Sequence, residues 1–246
     1  MAREFDGATD RIDFGSGAGV DLSGLGALTT ALWIRRDAGS ADREYVIQWG
    51  SSAHIIWFTA TELFGMILGR ATAATEQNSN AVPADGVWEA WALTWDGGTN
   101  ATSIKIFRNG TETGYTGGVN GSGALLATAS ISLGGRTVDD LRNFDGSLAD
   151  LGLWNRVLSA GEISGLARGF SPLHYSRGLL YAPSLIRNPI CPISGVSGTL
   201  DGTTVLAHPR MSYPTRQYRW ALPVVGGGGG LSIPIAAYHY FHHLRG

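Results

Sequence analysis

The residues of this 246-residue chain that could do chemistry are seven glutamates, a C-terminal group of histidines and eight tryptophans. Glycoside hydrolysis needs two carboxylates held a short distance apart across a cleft. Glu4, Glu44, Glu62, Glu76, Glu89, Glu112 and Glu162 are all separated in sequence, so a hydrolase would need distant segments to bring two of them together. His239, His242 and His243 stand at the three- and four-residue steps that share a helical face and could ligate a transition metal. No acidic or cysteine ligand lies near them, and hydrogen bonding and stacking at an interface is the expected role. Trp57, Trp88, Trp91, Trp95 and Trp154 could stack on sugar rings. A two-sheet fold buries its large alternating residues, so one or two at most are expected on a rim. Residues 15–19, Gly-Ser-Gly-Ala-Gly, lack the spacing and the following helix of a phosphate loop and read as a turn.

The elements that must position these groups are strands. Thr30-Ala31-Leu32-Trp33-Ile34 and Tyr45-Val46-Ile47-Gln48-Trp49 place bulky residues at strand spacing between Gly, Ser and Asp clusters. Thirty-six glycines and 15% charged residues indicate many tight turns rather than long surface helices. No strand–helix–strand alternation is visible, which argues against a doubly wound nucleotide-binding fold. The expected class is all-β, an antiparallel jelly-roll sandwich with a Pro/Gly-rich C-terminal extension. Asn109-Gly110 predicts a hairpin turn, because both residues tolerate positive φ. Ser159 with Glu162 three residues on predicts a capping box that opens a short helix before Ile163 and Leu166. Cys191 is the only cysteine, so no internal disulfide can staple the fold.

Residues 144–166, FDGSLADLGLWNRVLSAGEISGL, run from an apolar strand into that capped helix. Their order resembles the closing strand and terminal helical turn of laminin-G-like, concanavalin A-like jelly rolls. Two further segments carry the resemblance. Glu4-Phe5-Asp6-Gly7 leads into Arg11-Ile12-Asp13-Phe14, is similar to the opening strand, and repeats the Phe-Asp-Gly of residues 144–146. Residues 88–97 and 103–110 resemble the paired central strands and the Asn-Gly turn after them. The likeness covers residues 2–168 and implies that the first and last strands pair. It also raises a glucanase activity, but the Glu-x-Asp-x-Glu strand of such enzymes is absent. A calcium site on the rim is implied as well, with Asp139 and Asp140, Asp96 with Asn100, and Asp6 with Asp10 as candidate oxygen ligands. Loop aspartates of this kind also form Asx turns.

Composition breaks at residue 170. Eight of nine prolines follow it, and so does a single acidic residue, Asp201, against six arginines. The first 170 residues carry 19 acidic and 12 basic side chains, a net −7, and the remainder a net +5. This divides the chain into a sandwich (1–170), a proline-rich basic arm with a short hairpin near 197–204 (171–225), a glycine linker (226–230) and an aromatic, histidine-bearing segment (231–246). The arm is expected to lie along its own domain, a neighbouring copy or another protein. Ile235, Tyr238, His239, Tyr240, Phe241, His242 and His243 are the expected docking residues. Scattered arginines and a single lysine, Lys105, argue against nucleic acid.

The N-terminus runs directly into the first strand without a secretory apolar segment, and no run reaches the ~20 apolar residues of a membrane span. The function expected from these features is non-enzymatic: a lectin-like sandwich on a virion surface, made in the host cytoplasm and anchored through its arm to a capsid or tail protein or to copies of itself. A cell-surface glycan would be its ligand. A bacterial carbohydrate-binding or adhesion module, extracellular or at the cell surface, is the alternative, and a glycoside hydrolase the third.

Overall fold

The computed structural model describes residues 2–15, 21–37, 43–50, 53–61, 63–128, 130–136, 142–183, 185, 189–208 and 210–214. In chain order the strands are β1 (Ala2–Asp6), β2 (Arg11–Asp13), β3 (Leu28–Arg36), β4 (Glu44–Trp49), β5 (His54–Phe58), β6 (Phe64–Leu68), β7 (Thr75–Ser79) and β8 (Trp88–Trp95). They continue with β9 (Ile104–Arg108), β10 (Thr111–Glu112), β11 (Tyr115–Val119), β12 (Ile131–Leu133), β13 (Asp145–Trp154), β14 (Leu179–Tyr181), β15 (Thr199–Asp201) and β16 (Thr204–Leu206). One α-helix, α1 (Ala160–Ala167), is found among the described residues. No helix there is long and apolar enough to cross a membrane.

The strands form two antiparallel sheets of eight. Sheet I runs β10–β9–β8–β3–β13–β1–β16, with β14 also on β13, and sheet II runs β11–β7–β6–β5–β4–β12–β2–β15. The chain passes back and forth between the layers, as the expected jelly roll requires. Alternation sets the inner faces: Leu32, Ile34, Trp91 and Leu93 of sheet I meet Val46, Trp49, Ile56 and Met66 of sheet II in one core. An aromatic file joins the layers, from Phe5 to Phe144 (6.2 Å between centroids), Phe58 (6.0 Å), Phe64 (4.9 Å) and Trp91 (4.7 Å). Each such pair adds about 0.5–1.5 kcal/mol beyond its buried area. Gly134 makes room for this file, since a Cβ there would lie 2.1 Å from the Phe5 ring at a φ of +80°.

The Phe-Asp-Gly echo is structural: Phe5 pairs with Gly146 and Asp6 with Asp145 in the β1–β13 ladder. The opening segment is nevertheless two strands. It turns a corner at residues 6–10, where Asp6 Oδ1 accepts from the N–H groups of Ala8, Thr9 and Asp10 at 2.9–3.0 Å, and so passes from sheet I to sheet II. β13 is an inner strand, with β1 on one side and β3 on the other.

Residues 171–214 are engaged with the sandwich. Tyr181, Leu185 and Cys191 are buried in the main core, and β14, β15 and β16 extend both sheets. The expected hairpin near 197–204 is corrected in one respect: its two strands do not pair with each other. β15 joins β2 and β16 joins β1, so the turn at Gly202 (φ +69°) straddles the corner at residues 6–10. The ion pair described across the boundary, Arg11 to Asp201 at 3.1 Å, sets a base of the acidic half against the acid of the basic half. Strand pairing and apolar burial hold the segment. Residues 215–246 lie outside the described residues.

Candidate ligand-binding face

Among the described residues, the outer face of sheet I is covered over one half and open over the other. Helix α1 covers the first half: Ile163 and Leu166 pack with Ala31, Ala92, Trp154 and Leu158. Its start is the predicted capping box, with Ser159 Oγ accepting from Glu162 N–H (3.3 Å) and Glu162 Oε2 accepting from Ser159 N–H (2.8 Å). Arg156 forms a two-pronged pair with the Glu162 carboxylate at 2.6 and 2.8 Å. That guanidinium is the largest influence on Glu162 and, despite partial burial, holds its carboxyl at about 2. The Asn109-Gly110 turn (φ +51° and +85°) abuts the helix, and a Cβ on Gly110 would press on Ser164 and Ala167 at 3.2 Å.

Beyond the helix the face opens onto Trp33 and Trp88, both half-buried. Trp33 stands opposite Ala90 and Ala149, and Trp88 opposite Arg35, so the two indoles are diagonal neighbours on adjacent strands, about 7–8 Å apart in the backbone. One row crosses five strands: Trp88, Arg35, Ser147, Glu4 and Thr204. Arg35 donates from Nε and Nη2 to the two oxygens of Asp37, both at 2.9 Å, and Nη2 lies 3.6 Å from Glu4. The bond to Asp37 is the main reason its guanidinium is raised above the ordinary arginine value. Thr204 donates its hydroxyl to Glu4 at 2.9 Å. The Ser147 hydroxyl, buried in the floor between Arg35 and Glu4, has no hydrogen-bond partner.

At the junction of the two halves lies Asp150. The ladder between β13 and β3 shifts register between Ala149 and Gly152, and Asp150 takes a left-handed φ of +47° in this bulge. Bulges re-aim side chains in this way beside binding sites. Here β13 also exchanges neighbours, from β1 to β14. Burial pushes the Asp150 carboxyl above its ordinary value, with the Tyr213 hydroxyl pulling the other way by donating at 3.0 Å. Burial also raises the Tyr213 phenol well above its usual range. Asp150 lines a narrow crevice of about 10 Å³ beside helix α1 with Trp33, Phe170 and Met211, and it borders a second hollow of about 190 Å³ with Leu151, Leu185 and Tyr213. The strap that carries Tyr213 is pinned by backbone bonds between Ser212 and both Gly169 (2.7 Å) and Ser171 (2.9 Å). Indole planes beside carboxylates and a guanidinium suit a flat ligand with an apolar face and a hydroxyl-bearing edge.

The candidates expected from sequence fall elsewhere. Asp96 Oδ1 accepts from Gly98 N–H at 3.0 Å in an Asx turn, and Asn100 is exposed ahead of a short 3-10 turn at Ala101–Ser103. The Asp6 carboxylate is engaged by its three backbone donors. Burial opposes them, yet together they hold it below its ordinary value. Among the described residues no group of three His, Cys, Asp or Glu is arranged to hold a metal. Asp139 and Asp140 lie outside the described residues, as do Ile235, Tyr238, His239, Tyr240, Phe241, His242 and His243. Of the five tryptophans considered as stacking residues, Trp57, Trp91, Trp95 and Trp154 are at most 3% exposed, which leaves Trp88. Trp33 was missed. Its signal is the alternation itself, since Leu32 and Ile34 must face the core and so turn Trp33 outward. Thr204 and Tyr213 were missed because the segment that carries them reads as an arm.

Comparison with known proteins agrees with this architecture. The native heptameric SAP-like pentraxin of Limulus polyphemus superposes with a TM-score of 0.55 at 16% identity, over 82% of this chain and 93% of that one. A candidate carbohydrate binding protein of Bacteroides ovatus gives 0.60 at 14% identity, over 86% of this chain. The match spans 61% of the Bacteroides chain. At these identities the likeness is one of fold. No curated protein matches the chain. A family model matches residues 6–164, from the β1–β2 corner to the middle of helix α1, and on that match the chain belongs to the Concanavalin A-like lectin/glucanases superfamily.

Proposed function

We propose that this chain is a non-enzymatic carbohydrate-binding module that holds its saccharide on the open half of sheet I. One observation carries the reading: two half-buried indoles stand side by side on a strand face whose other tryptophan, Trp154, is sealed under helix α1. A pyranose presents an apolar C–H face that stacks on such rings, and its rim hydroxyls bond to carboxylates and guanidinium groups. Arg35, Glu4, Asp37 and Asp150 supply those partners at the margin of the rings. The arrangement offers a hydrolase little, because Glu4 and Asp37 both lean on the same guanidinium instead of facing each other across a cleft.

Calorimetric titration against a panel of oligosaccharides tests the reading. Binding to at least one member is expected, and Trp33→Ala or Trp88→Ala should weaken it tenfold or more while leaving the melting temperature within a few degrees. Full affinity in both variants would refute the assignment of this face. Display on a virion capsid or tail, the setting expected from sequence, would depend on residues 215–246 as the anchor, since residues 171–214 are engaged in the sandwich. A chain ending at Pro214 that still co-sedimented with virions would overturn that anchoring.

A further inference from the structure

We infer that the open half of sheet I selects uncharged saccharide chains of several units and rejects acidic ones; the inference rests on the carbohydrate-binding reading above. The argument begins with the guanidinium at its centre. Recognition of a uronate, sialate or sulfate requires a cation whose fork is available to the incoming anion. Arg35 already spans both oxygens of Asp37 with Nε and Nη2, and Nη2 also faces Glu4. Its side chain is 22% exposed, whereas those of Glu4 and Asp37 are 38% and 32% exposed, so a ligand meets carboxylate oxygens more readily than the guanidinium. Asp150 adds a third carboxylate at the far end of the crevice. The face therefore presents one engaged positive charge against three acids.

The same oxygens suit hydroxyl donors. A carboxylate accepts about four hydrogen bonds, and those described at Glu4, Asp37 and Asp150 leave acceptor sites over. Length follows from the aromatic track. Trp88 and Trp33 are diagonal neighbours, and Phe170, which is 39% exposed, stands across a narrow crevice from Trp33. A single sugar covers one ring, so a chain of three or more units engages the whole track. Two cations lie near the margin. Arg168 turns back on the Ser164 carbonyl of its own helix at 3.3 Å, and Arg210 is exposed beside Met211.

Titration of the intact chain against neutral hexasaccharides of glucose, mannose, xylose and galactose, set beside oligogalacturonate, alginate and a sulfated chain, tests the inference. At least one neutral hexamer should bind tenfold or more tighter than its monosaccharide and than every acidic chain, with little dependence on salt. The double variant Glu4→Gln/Asp37→Asn, checked for an unchanged fold by circular dichroism, frees Arg35 and should raise affinity for acidic chains at least tenfold. Acidic chains binding tightest, with that binding lost in Trp33→Ala or Arg210→Ala, would overturn the charge selection and leave the carbohydrate reading standing. Failure of every chain to bind, or binding indifferent to Trp33 and Trp88, would instead remove the carbohydrate reading and this inference with it.

Discussion

Replacing Glu162 by glutamine tests how helix α1 is held over the sheet. Glutamine keeps the shape of the capping box and removes the charge that Arg156 grips. A carboxyl held at about 2 instead of its ordinary 4.5 has gained about 3.4 kcal/mol for its ionised form, at 1.36 kcal/mol per tenfold change. Arg156 and Glu162 keep 25% and 24% of their side-chain surface in water, so screening reduces this, and we expect a loss of roughly 1–2 kcal/mol at neutral pH. For a unit of this size that is about 2–8 °C in melting temperature. The sign with pH is fixed. A carboxyl whose folded pKa is depressed contributes its full stabilisation above its unfolded value near 4.5 and loses it as pH falls toward about 2. Urea titrations of both proteins between pH 7 and pH 2.5 should therefore converge as the acid end is approached. A gap as wide at pH 2.5 as at pH 7, or no gap at neutral pH, would refute the ion-pair account.

Other substitutions probe the core and the C-terminal segment. Trp91→Ala, at a residue 1% exposed in the aromatic file, should cost about 3–5 kcal/mol by denaturant titration. Tyr181→Phe removes a buried hydroxyl that has no hydrogen-bond partner, so stability should hold or rise by up to about 1 kcal/mol, and a clear loss would reveal a partner for that group. A chain ending at Phe170 lacks β14, β15 and β16 and leaves the core without Tyr181, Leu185 and Cys191, so it should fail to melt cooperatively in calorimetry.

Much of the sandwich could be read from short-range chemistry. The capping box and the Asn109-Gly110 turn are local, and each appears where residue type places it, while the β8–β9 pair appears where the likeness to the family implied it. The long-range pairing of β1 with β13 was implied by the likeness to the family, which the Phe-Asp-Gly echo fitted, and not by local propensity. The pairing of the C-terminal strands with the sandwich escaped notice because three residues carry almost no alternation, and proline-rich connections between them read as an extended arm. The Asp150 bulge did leave a trace. Leu148, Leu151 and Leu153 all face the core, and the odd step from Leu148 to Leu151 is permitted only if an extra residue is inserted between them. The residues proposed to face a ligand were the hardest to find, because Glu4, Arg35 and Thr204 meet only through a row that crosses separate strands.

The straddling turn at Gly202 has a consequence for the order of synthesis. β1 leaves the ribosome before the other strands described, yet its partners are β13, some 140 residues later, and β16, some 200 residues later. β2 likewise waits for β12 and β15. Until residues 199–206 have emerged, the first two strands of the nascent chain each expose an unpaired edge, a state that attracts chaperones and neighbouring chains. Closure of both layers thus waits for residues 199–206, and folding this dependent on distant contacts is slow. Expression yield should accordingly respond to temperature and chaperone supply more than to the stability of the finished sandwich.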